Sequence, residues 1–160
     1  MTHRLRPVGL PFLSDAPHRY TFTEPVAAPR AVVFASISAD PSTWTVWFPR
    51  LRGGAYLSAP PHGVGTVRQA DTDGIVYRET MLAWQTPSRW AYRLDSCSQP
   101  LAEALAEDWV LHDAGGGTLV EWTFAIDPGP LVAPHMDQLP ARLRTTFRTA
   151  MNALSLTLGG

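Results

Sequence analysis

Hydrophobic and polar residues alternate along most of the chain, which is the pattern of half-buried β-strands. A first strand is predicted from His18, where HRYTFTEPVA places Tyr20 and Phe22 on one side. Six further strands are predicted near 50–58, 64–71, 74–85, 88–96, 104–113 and 117–127. Most of the segments between them are short and carry proline or glycine, which favours antiparallel hairpins. The pattern therefore predicts a seven-stranded antiparallel sheet.

Two short helices are predicted between the first and second strands. Pro29 falls where proline opens a helix, and the apolar run over 31–38 continues it. Asp40 is a candidate N-cap for the next helix, with Pro41 at its first position. These helices would lie together against one end of the sheet.

The chain ends with a long amphipathic helix predicted from about 137 to 158, after a break at 127–130. Such a basic amphipathic helix could lie on a membrane surface or bind a calmodulin-like partner. We instead expect its stripe to cover the sheet, because an uncovered apolar sheet face needs it. Its apolar residues recur at intervals of three and four, and they are Leu139, Leu143, Phe147, Ala150, Met151, Leu154 and Leu158.

A curved antiparallel sheet around one long helix predicts an α+β fold with a cavity. The sheet cannot touch the helix along its whole length, and a gap of this kind is a natural ligand site. We place this single domain at residues 18–160. Residues 1–17 form an N-terminal extension that we expect to be flexible or packed on the surface.

Composition narrows the possible partners. Cys97 is the only cysteine, which excludes an internal disulfide and suits a cytoplasmic protein. The five histidines are scattered, so we expect no metal.

The formal net charge is −1, and arginines and carboxylates are interleaved along the strands, so nucleic acid is not an expected partner. No apolar run is long enough to span a bilayer, and we expect a monomer or a homodimer.

The segment DPSTWTVWFPRL, from Asp40 to Leu51, is the densest cluster of aromatic residues. Trp44 and Trp47 are three residues apart and therefore share a helical face. Rings of this size must cover apolar surface. They are either ligand-binding residues near the mouth of the cavity or residues that pack the short helices onto the sheet.

Alternation also assigns strand faces near the chain's end. Trp122 and Phe124 share the inner side of the last strand with Val120 and Ile126, and Trp109 shares that of the strand before it with Leu105 and Leu111. These aromatics line either a core or a cavity, and the pattern does not separate the two. The candidate ligand-binding residues are Trp44, Trp47, Tyr92, Trp109, Trp122, Phe124, Phe147 and Met151.

The strand over 74–85 has no clearly apolar side, and one of its two sides carries Tyr77 and Glu79. A buried Glu79 would be costly unless an arginine such as Arg68 met it. Such a pair could orient a polar group of a ligand. The alternative is a cross-strand pair in water, which contributes little.

In these segments the chain resembles the START-like superfamily with the helix-grip fold, which includes polyketide cyclases/dehydrases, lipid-transfer proteins and relatives of the birch pollen allergen. The resemblance covers about residues 18–158. It is carried, in order, by DPSTWTVWFPRL, GVGTVRQ, YRETMLAWQTPSRWAYRL and EDWVLHDAGGGTLVEWTF.

The resemblance implies a hydrophobic cavity between the sheet and the last helix, and no cofactor. For the aromatase/cyclase members it suggests an arginine and a tyrosine in the cavity that polarise carbonyls and assist ring closure. Arg68, in the stretch that is similar to the family's GxGTxR, and Tyr77 are the candidate positions for these roles, with Glu79 or a water as a further proton-transfer candidate.

Three functions remain as hypotheses. The first is binding of a hydrophobic or aromatic small molecule, lipid- or polyketide-like, in the cavity. The second is a polyketide aromatase/cyclase or dehydrase. The third is a co-chaperone-like interaction module, which would need Trp44, Trp47 and Phe48 at the surface.

Overall fold

A curved antiparallel sheet forms the body of the protein in a computed structural model that describes residues 2–159. Seven strands follow the order β2-β8-β7-β6-β5-β4-β3, and a two-residue strand, β1, pairs with β6. The α+β fold with seven strands and a long C-terminal helix is thus as predicted. The strands are β1 His3–Arg4, β2 His18–Val26, β3 Leu51–Tyr56, β4 Val67–Thr72, β5 Ile75–Gln85, β6 Arg89–Cys97, β7 Ala102–Ala114 and β8 Gly117–Pro128.

Two hairpins close with turns that need a left-handed backbone. Asp73 and Gly74 have φ angles of 57° and 86° between β4 and β5, and Gly115 and Gly116 have φ angles of 62° and 95° between β7 and β8. Two successive positive φ angles are typical of the tight turns that match the twist of antiparallel strands, and glycine and aspartate tolerate them. These turns set the register of the strands that carry the polar residues of the cavity.

The three predicted helices lie close to their expected positions, and two further short helical segments were not predicted. Helix α1 is Phe12–Asp15, α2 is Arg30–Ile37 and α3 is Leu139–Gly159. The segment Pro41–Val46 is a 3₁₀ helix, capped by Asp40 Oδ1, which accepts a hydrogen bond from the backbone N–H of Ser42 at 2.9 Å. A second 3₁₀ turn is Ala133–His135. None of the helices within residues 2–159 has the length and apolar character needed to cross a membrane.

Part of the N-terminal extension lies on the sheet. The backbone N–H of Leu5 donates to the backbone carbonyl of Asp95 on β6 at 3.0 Å, and the backbone N–H of Arg6 donates to the backbone carbonyl of Glu103 on β7 at 2.8 Å. The arm therefore bridges β6 and β7 where these two strands no longer pair with each other. Leu13 of α1 is buried against alanines of four neighbouring strands.

The hydrophobic core lies between the sheet and α3. Phe147, Ala150, Met151 and Leu154 of α3 are buried in it, together with α2 and inward aromatics of the sheet. The first turns of α3 differ, because Leu139, Leu143 and Thr146 line a cavity instead. The predicted gap is thus confined to the N-terminal part of α3, and the rest of the helix is in contact with a solid core.

Candidate functional site

A cavity of about 300 Å³ lies between the sheet and the first turns of α3. This volume is at the lower end of the range for small-molecule pockets. Most of the wall is apolar and includes Trp44 and Phe48 in and after the 3₁₀ helix, Trp122 and Phe124 on β8, and Leu143 on α3. The ionisable part of the wall lies on strands β4 to β7.

Arg68 on β4 and Glu79 on β5 form an ion pair in this wall. The two residues are directly opposite in the strand register. Glu79 Oε1 accepts from Arg68 Nε at 2.8 Å and lies 2.7 Å from Nη2, and the two side chains are only 5% and 7% exposed. The alternative of a solvated surface pair therefore does not describe them.

Aromatic rings surround the Arg68 guanidinium. Its central carbon lies 4.8 Å from the ring centroid of Trp44, 4.9 Å from that of Trp90 and 4.7 Å from that of Tyr92. A guanidinium is attracted to aromatic faces and is weakly hydrated, which suits it to such a site. Arg68 is therefore held in place by a carboxylate and three rings.

Burial sets the electrostatics of this pair. Burial raises the pKa of Glu79, and the neighbouring Arg68 acts in the opposite direction. For Arg68, burial is the largest single influence and favours loss of charge, but Glu79 together with Tyr92 and Tyr56 outweighs it and leaves the pKa above its usual value. Arg68 thus remains a cation, and the two short contacts that its guanidinium makes to Glu79 Oε1 favour the ionised form of that carboxyl group. The pair brings no net charge to the cavity.

Glu107 on β7 is a second carboxylate in the wall. Its Oε1 accepts hydrogen bonds from the Tyr92 hydroxyl and from Trp122 Nε1, both at 2.9 Å. Burial, and then the negative charge of Glu79, raise the pKa of Glu107 to about 7. Within residues 2–159 this carboxylate forms no salt bridge. Glu107 can therefore change protonation state near neutral pH.

Two tyrosine hydroxyls complete the polar wall. Burial raises the pKa of Tyr77 and also that of Tyr92, so both remain protonated at neutral pH and can donate hydrogen bonds. The Tyr92 hydroxyl donates to Glu107. In the described part of the chain the Tyr77 hydroxyl makes no hydrogen bond, although Tyr77 lines the cavity. It is available to a bound molecule.

Comparison with known families decides what kind of protein contains this cavity. Residues 17–158 match the sequence profile of the polyketide cyclase / dehydrase and lipid transport family. The chain belongs to this family. An uncharacterized protein of Mycobacterium tuberculosis is 33% identical over 119 residues, which cover 74% of this chain and 71% of the relative. The predicted resemblance is confirmed at the level of family and fold.

Solved structures show the same fold. The aromatase/cyclase ZhuI from Streptomyces sp. R1128 is 15% identical, with a TM-score of 0.70, and 89% of this chain and 93% of that one are covered. Ara h 8.0201 is 16% identical with a TM-score of 0.70, covering 88% of this chain and 97% of that one. A conserved protein from Geobacillus kaustophilus is 10% identical with a TM-score of 0.72, covering 89% and 95%. The fold of this family is thus shared by proteins of very different sequence.

Seven of the eleven predicted site residues lie in the cavity wall of this family member. Their functional roles remain predictions. They are Arg68, Tyr77 and Glu79 from the catalytic set and Trp44, Tyr92, Trp122 and Phe124 from the ligand-binding set.

The other four predicted ligand-binding residues lie in the core instead. Trp109, Phe147 and Met151 are almost completely buried and do not line the cavity. Trp47 packs behind Trp44, with ring centroids 4.4 Å apart. Trp109, Phe147 and Met151 share a strand or helix face with cavity residues but are enclosed by neighbouring side chains. Trp47 borders a separate depression between α2 and the last turns of α3, away from the cavity.

Glu107 is the wall residue that sequence reasoning missed. It stands two residues before Trp109, which had been placed on the inner side of β7, so the same alternation places Glu107 inside as well. The signal was present in the pattern of the strand. A charged residue between two inward apolar ones is the kind of exception that marks a buried polar site.

Proposed function

We propose that this protein binds a hydrophobic or aromatic small molecule in the cavity between the sheet and α3. The observation that carries this proposal is the space itself, with aromatic and aliphatic side chains on most of its wall and a few polar groups on one side. This composition is typical of ligand pockets, in which apolar burial supplies affinity and a few polar groups set orientation. Membership of the family supports the proposal.

The ion pair in the wall is compatible with an uncharged ligand. Arg68 and Glu79 neutralise each other at 2.7 Å, so neither requires a counter-ion from the ligand. Binding would then depend mainly on apolar surface removed from water, at about 25 cal/mol per Å². Trp44, Trp122 and Phe124 supply most of that contact from opposite walls.

Native mass spectrometry of the purified protein tests this proposal. We expect a stoichiometric apolar molecule that remains bound in the gas phase and is released by denaturing extraction, after which its mass identifies its chemical class. Protein that is empty as purified should then take up apolar aromatic compounds added to it. Failure to bind any of them would contradict the proposal, because a preformed apolar cavity of this size does not exclude such molecules.

Catalysis is a second candidate function, favoured by the convergence of Arg68, Glu79 and Tyr77 on one cavity. An arginine that keeps its charge would stabilise a developing enolate or alkoxide oxygen. The Tyr77 hydroxyl, which remains protonated, would donate a proton to that oxygen, and the proton lost from the reacting carbon would pass to Glu79 or to a water. The corresponding substrate is a poly-β-keto chain or a related aromatic precursor, and the reaction is ring closure or dehydration.

Replacing Tyr77 by phenylalanine separates catalysis from binding. If Tyr77 transfers the proton, Tyr77→Phe should lower turnover of a poly-β-keto thioester by roughly 10²–10⁴-fold and leave substrate affinity unchanged. Tyr20→Phe is the matched control, because Tyr20 is half-buried on β2 and does not line the cavity. Wild-type protein that binds the thioester without converting it would exclude this second function.

The interaction-module hypothesis loses its main support. It required an exposed aromatic patch, but Trp44 and Trp47 are only 3% and 5% exposed, and Phe48 is half-buried. The Trp44 indole N–H also donates to the backbone carbonyl of Ile37 at 3.0 Å. The three rings pack against one another in tilted contacts and against the core, so they do not form a patch that could face a partner.

A further inference from the structure

The charges of the cavity wall do not balance. Its ionisable lining residues are Arg68, Glu79, Glu107, Tyr77 and Tyr92. Arg68 and Glu79 cancel each other, and the tyrosines are neutral. Ionised Glu107 therefore leaves the cavity with one net negative charge and no cation of the protein's own beside it.

The two carboxylate oxygens of Glu107 have different surroundings. Oε1 accepts both available donors, the Tyr92 hydroxyl and Trp122 Nε1. Within residues 2–159, Oε2 accepts no hydrogen bond, and the residue lines the cavity. An ionised carboxylate has about four lone-pair sites, so Oε2 retains its full capacity to accept.

We propose that Glu107 Oε2 binds a hydrogen-bond donor of the ligand, a hydroxyl or an ammonium group carried on an apolar aromatic body. This inference rests on the proposed function, because it concerns the same cavity. Glu107 is then the residue that determines specificity. It favours donors, and its charge disfavours a ligand carboxylate, which would lie next to Oε2 with no cation free to pair with it.

The neighbouring rings suit such a ligand. Trp122 and Tyr92 hold Oε1 and also form part of the wall, so an aromatic body beside them would bring its own donor close to Oε2. A cationic ligand would gain further from the aromatic faces. Both ligand types, the alcohol and the ammonium compound, share the N–H or O–H donor that Oε2 requires. An experiment can tell them apart.

A set of matched naphthalenes tests the proposal on the wild-type protein by isothermal titration calorimetry. The probes carry at the β position a hydroxyl, an aminomethyl, a methyl, an acetyl or a carboxylate group. At about pH 8.5, where Glu107 is ionised, we expect the hydroxyl or aminomethyl compound to bind at least about tenfold more tightly than the methyl compound. The carboxylate should be the weakest. The hydroxyl-to-aminomethyl ratio then identifies the ligand type.

Glu107→Gln should reverse the preference. Tyr92 and Trp122 are both donors toward Oε1, so the glutamine oxygen takes that position and its NH₂ takes the position of Oε2. The acetyl compound should then bind more tightly than the hydroxyl compound. Glu103→Gln is the matched control, since Glu103 is on the same strand and exposed, and it should change nothing.

Lowering the pH should give the wild-type protein the same reversed probe preference as Glu107→Gln. Below a pKa of about 7 the proton goes to Oε2, because Oε1 already accepts two hydrogen bonds, and Oε2 becomes a donor. The groups facing Glu107 are Tyr92 on β6, Tyr77 and Glu79 on β5 and Arg68 on β4, while α3 offers Leu139, Leu143 and Thr146. The raised pKa values of both tyrosines keep them neutral, and Glu79 is held in its ion pair by Arg68. At about pH 5.5 the wild type should therefore rank the probes as Glu107→Gln does.

The outcomes distinguish this inference from the proposed function. Binding of all probes with the same ranking in the wild type, in Glu107→Gln and at both pH values would overturn the role of Glu107 and leave the cavity as a general apolar site. Absence of binding for every probe, including the methyl compound, would overturn both. A preference for the carboxylate at about pH 8.5 would also contradict the inference.

Discussion

At the scale of single residues, Arg68 shows how a charge is accommodated inside this protein. It is buried between Glu79 and three aromatic rings, so its charge is met by hydrogen bonds and by ring faces. A buried ion pair need not stabilise a fold, because desolvation of both charges offsets their attraction. Loss of one partner is different, since the other charge is then buried alone.

This asymmetry predicts a strongly non-additive double mutant. Arg68→Met or Glu79→Leu alone should lower the free energy of unfolding by roughly 3–5 kcal/mol, whereas the double variant should lie close to the wild type. Urea denaturation of the four proteins measures the coupling. Single-variant effects that simply add in the double variant would show that the two charges are not interdependent.

Glu107 predicts a characteristic dependence of stability on pH. Its pKa of about 7 in the folded protein exceeds the ordinary value of 4.5, so between these values the folded state retains a proton that the unfolded state has lost. The free energy of unfolding should therefore fall as pH rises from about 5 to 7, by up to roughly 3 kcal/mol from this residue.

Comparison with Glu107→Gln isolates this contribution. The variant has no proton to lose at this position, so the stability difference between variant and wild type should grow in favour of the variant across the same pH interval. Urea denaturation at several pH values measures it, and Glu103→Gln should follow the wild type throughout. Parallel pH curves for the wild type and Glu107→Gln would contradict the raised pKa.

At the scale of elements, helix α1 of the N-terminal arm packs a large side chain against small side chains of the sheet. Leu13 of α1 lies over Ala83, Ala91, Ala106 and Ala125, one from each of the strands β5 to β8. Small residues in adjacent strands leave a depression on the outer face, and one leucine fills it. The arm therefore covers the side of the sheet opposite the cavity.

Leu13→Ala should destabilise the protein by about 2–5 kcal/mol, because it removes a buried side chain and leaves a void. Leu10→Ala is the control on the same arm, since Leu10 is 36% exposed and should change stability by less than about 0.5 kcal/mol. Binding of an apolar probe to the cavity should be unaffected in both variants. Equal stability for Leu13→Ala and Leu10→Ala would show that the arm does not contribute to the fold.

At the scale of the whole molecule, the same sheet supports both a solid core and a cavity. The later turns of α3 contact the aromatics of the sheet, whereas the first turns leave a space of about 300 Å³. A larger side chain should therefore be tolerated where it points into the cavity and should be destabilising where the protein is already closely packed.

Ala70→Phe and Ala106→Phe make this contrast measurable. Ala70 lines the cavity and Ala106 is completely buried under Leu13. Ala70→Phe should fill part of the cavity, abolish binding of an apolar probe and change the free energy of unfolding by less than about 1 kcal/mol, whereas Ala106→Phe should cost at least roughly 1–3 kcal/mol. Thermal denaturation and calorimetry of both variants test this. Intact ligand binding in Ala70→Phe would place the ligand elsewhere.

The sequence by itself determined the order of the main elements, the inward faces of β7 and β8 and the family, but not which face of β5 points inward. These are local properties: a period of two places alternate residues on opposite faces, glycine marks the turns with positive φ, and the spacing of apolar residues defines one stripe on α3. The same periodicity also implies that Glu107 faces inward, two residues before Trp109, although Glu107 was not among the predicted site residues.

Tertiary structure alone decided which inward residues meet empty space and which meet another side chain. Trp122 and Trp109 face the same way on paired strands, yet Trp122 lines the cavity, whereas Trp109 is enclosed by the rings of Trp44, Trp122 and Phe147. The pairing of Arg68 with Glu79 and the one-sided hydrogen bonding of Glu107 likewise depend on register between strands. Distances between elements far apart in the chain set these features, and no local pattern contains them.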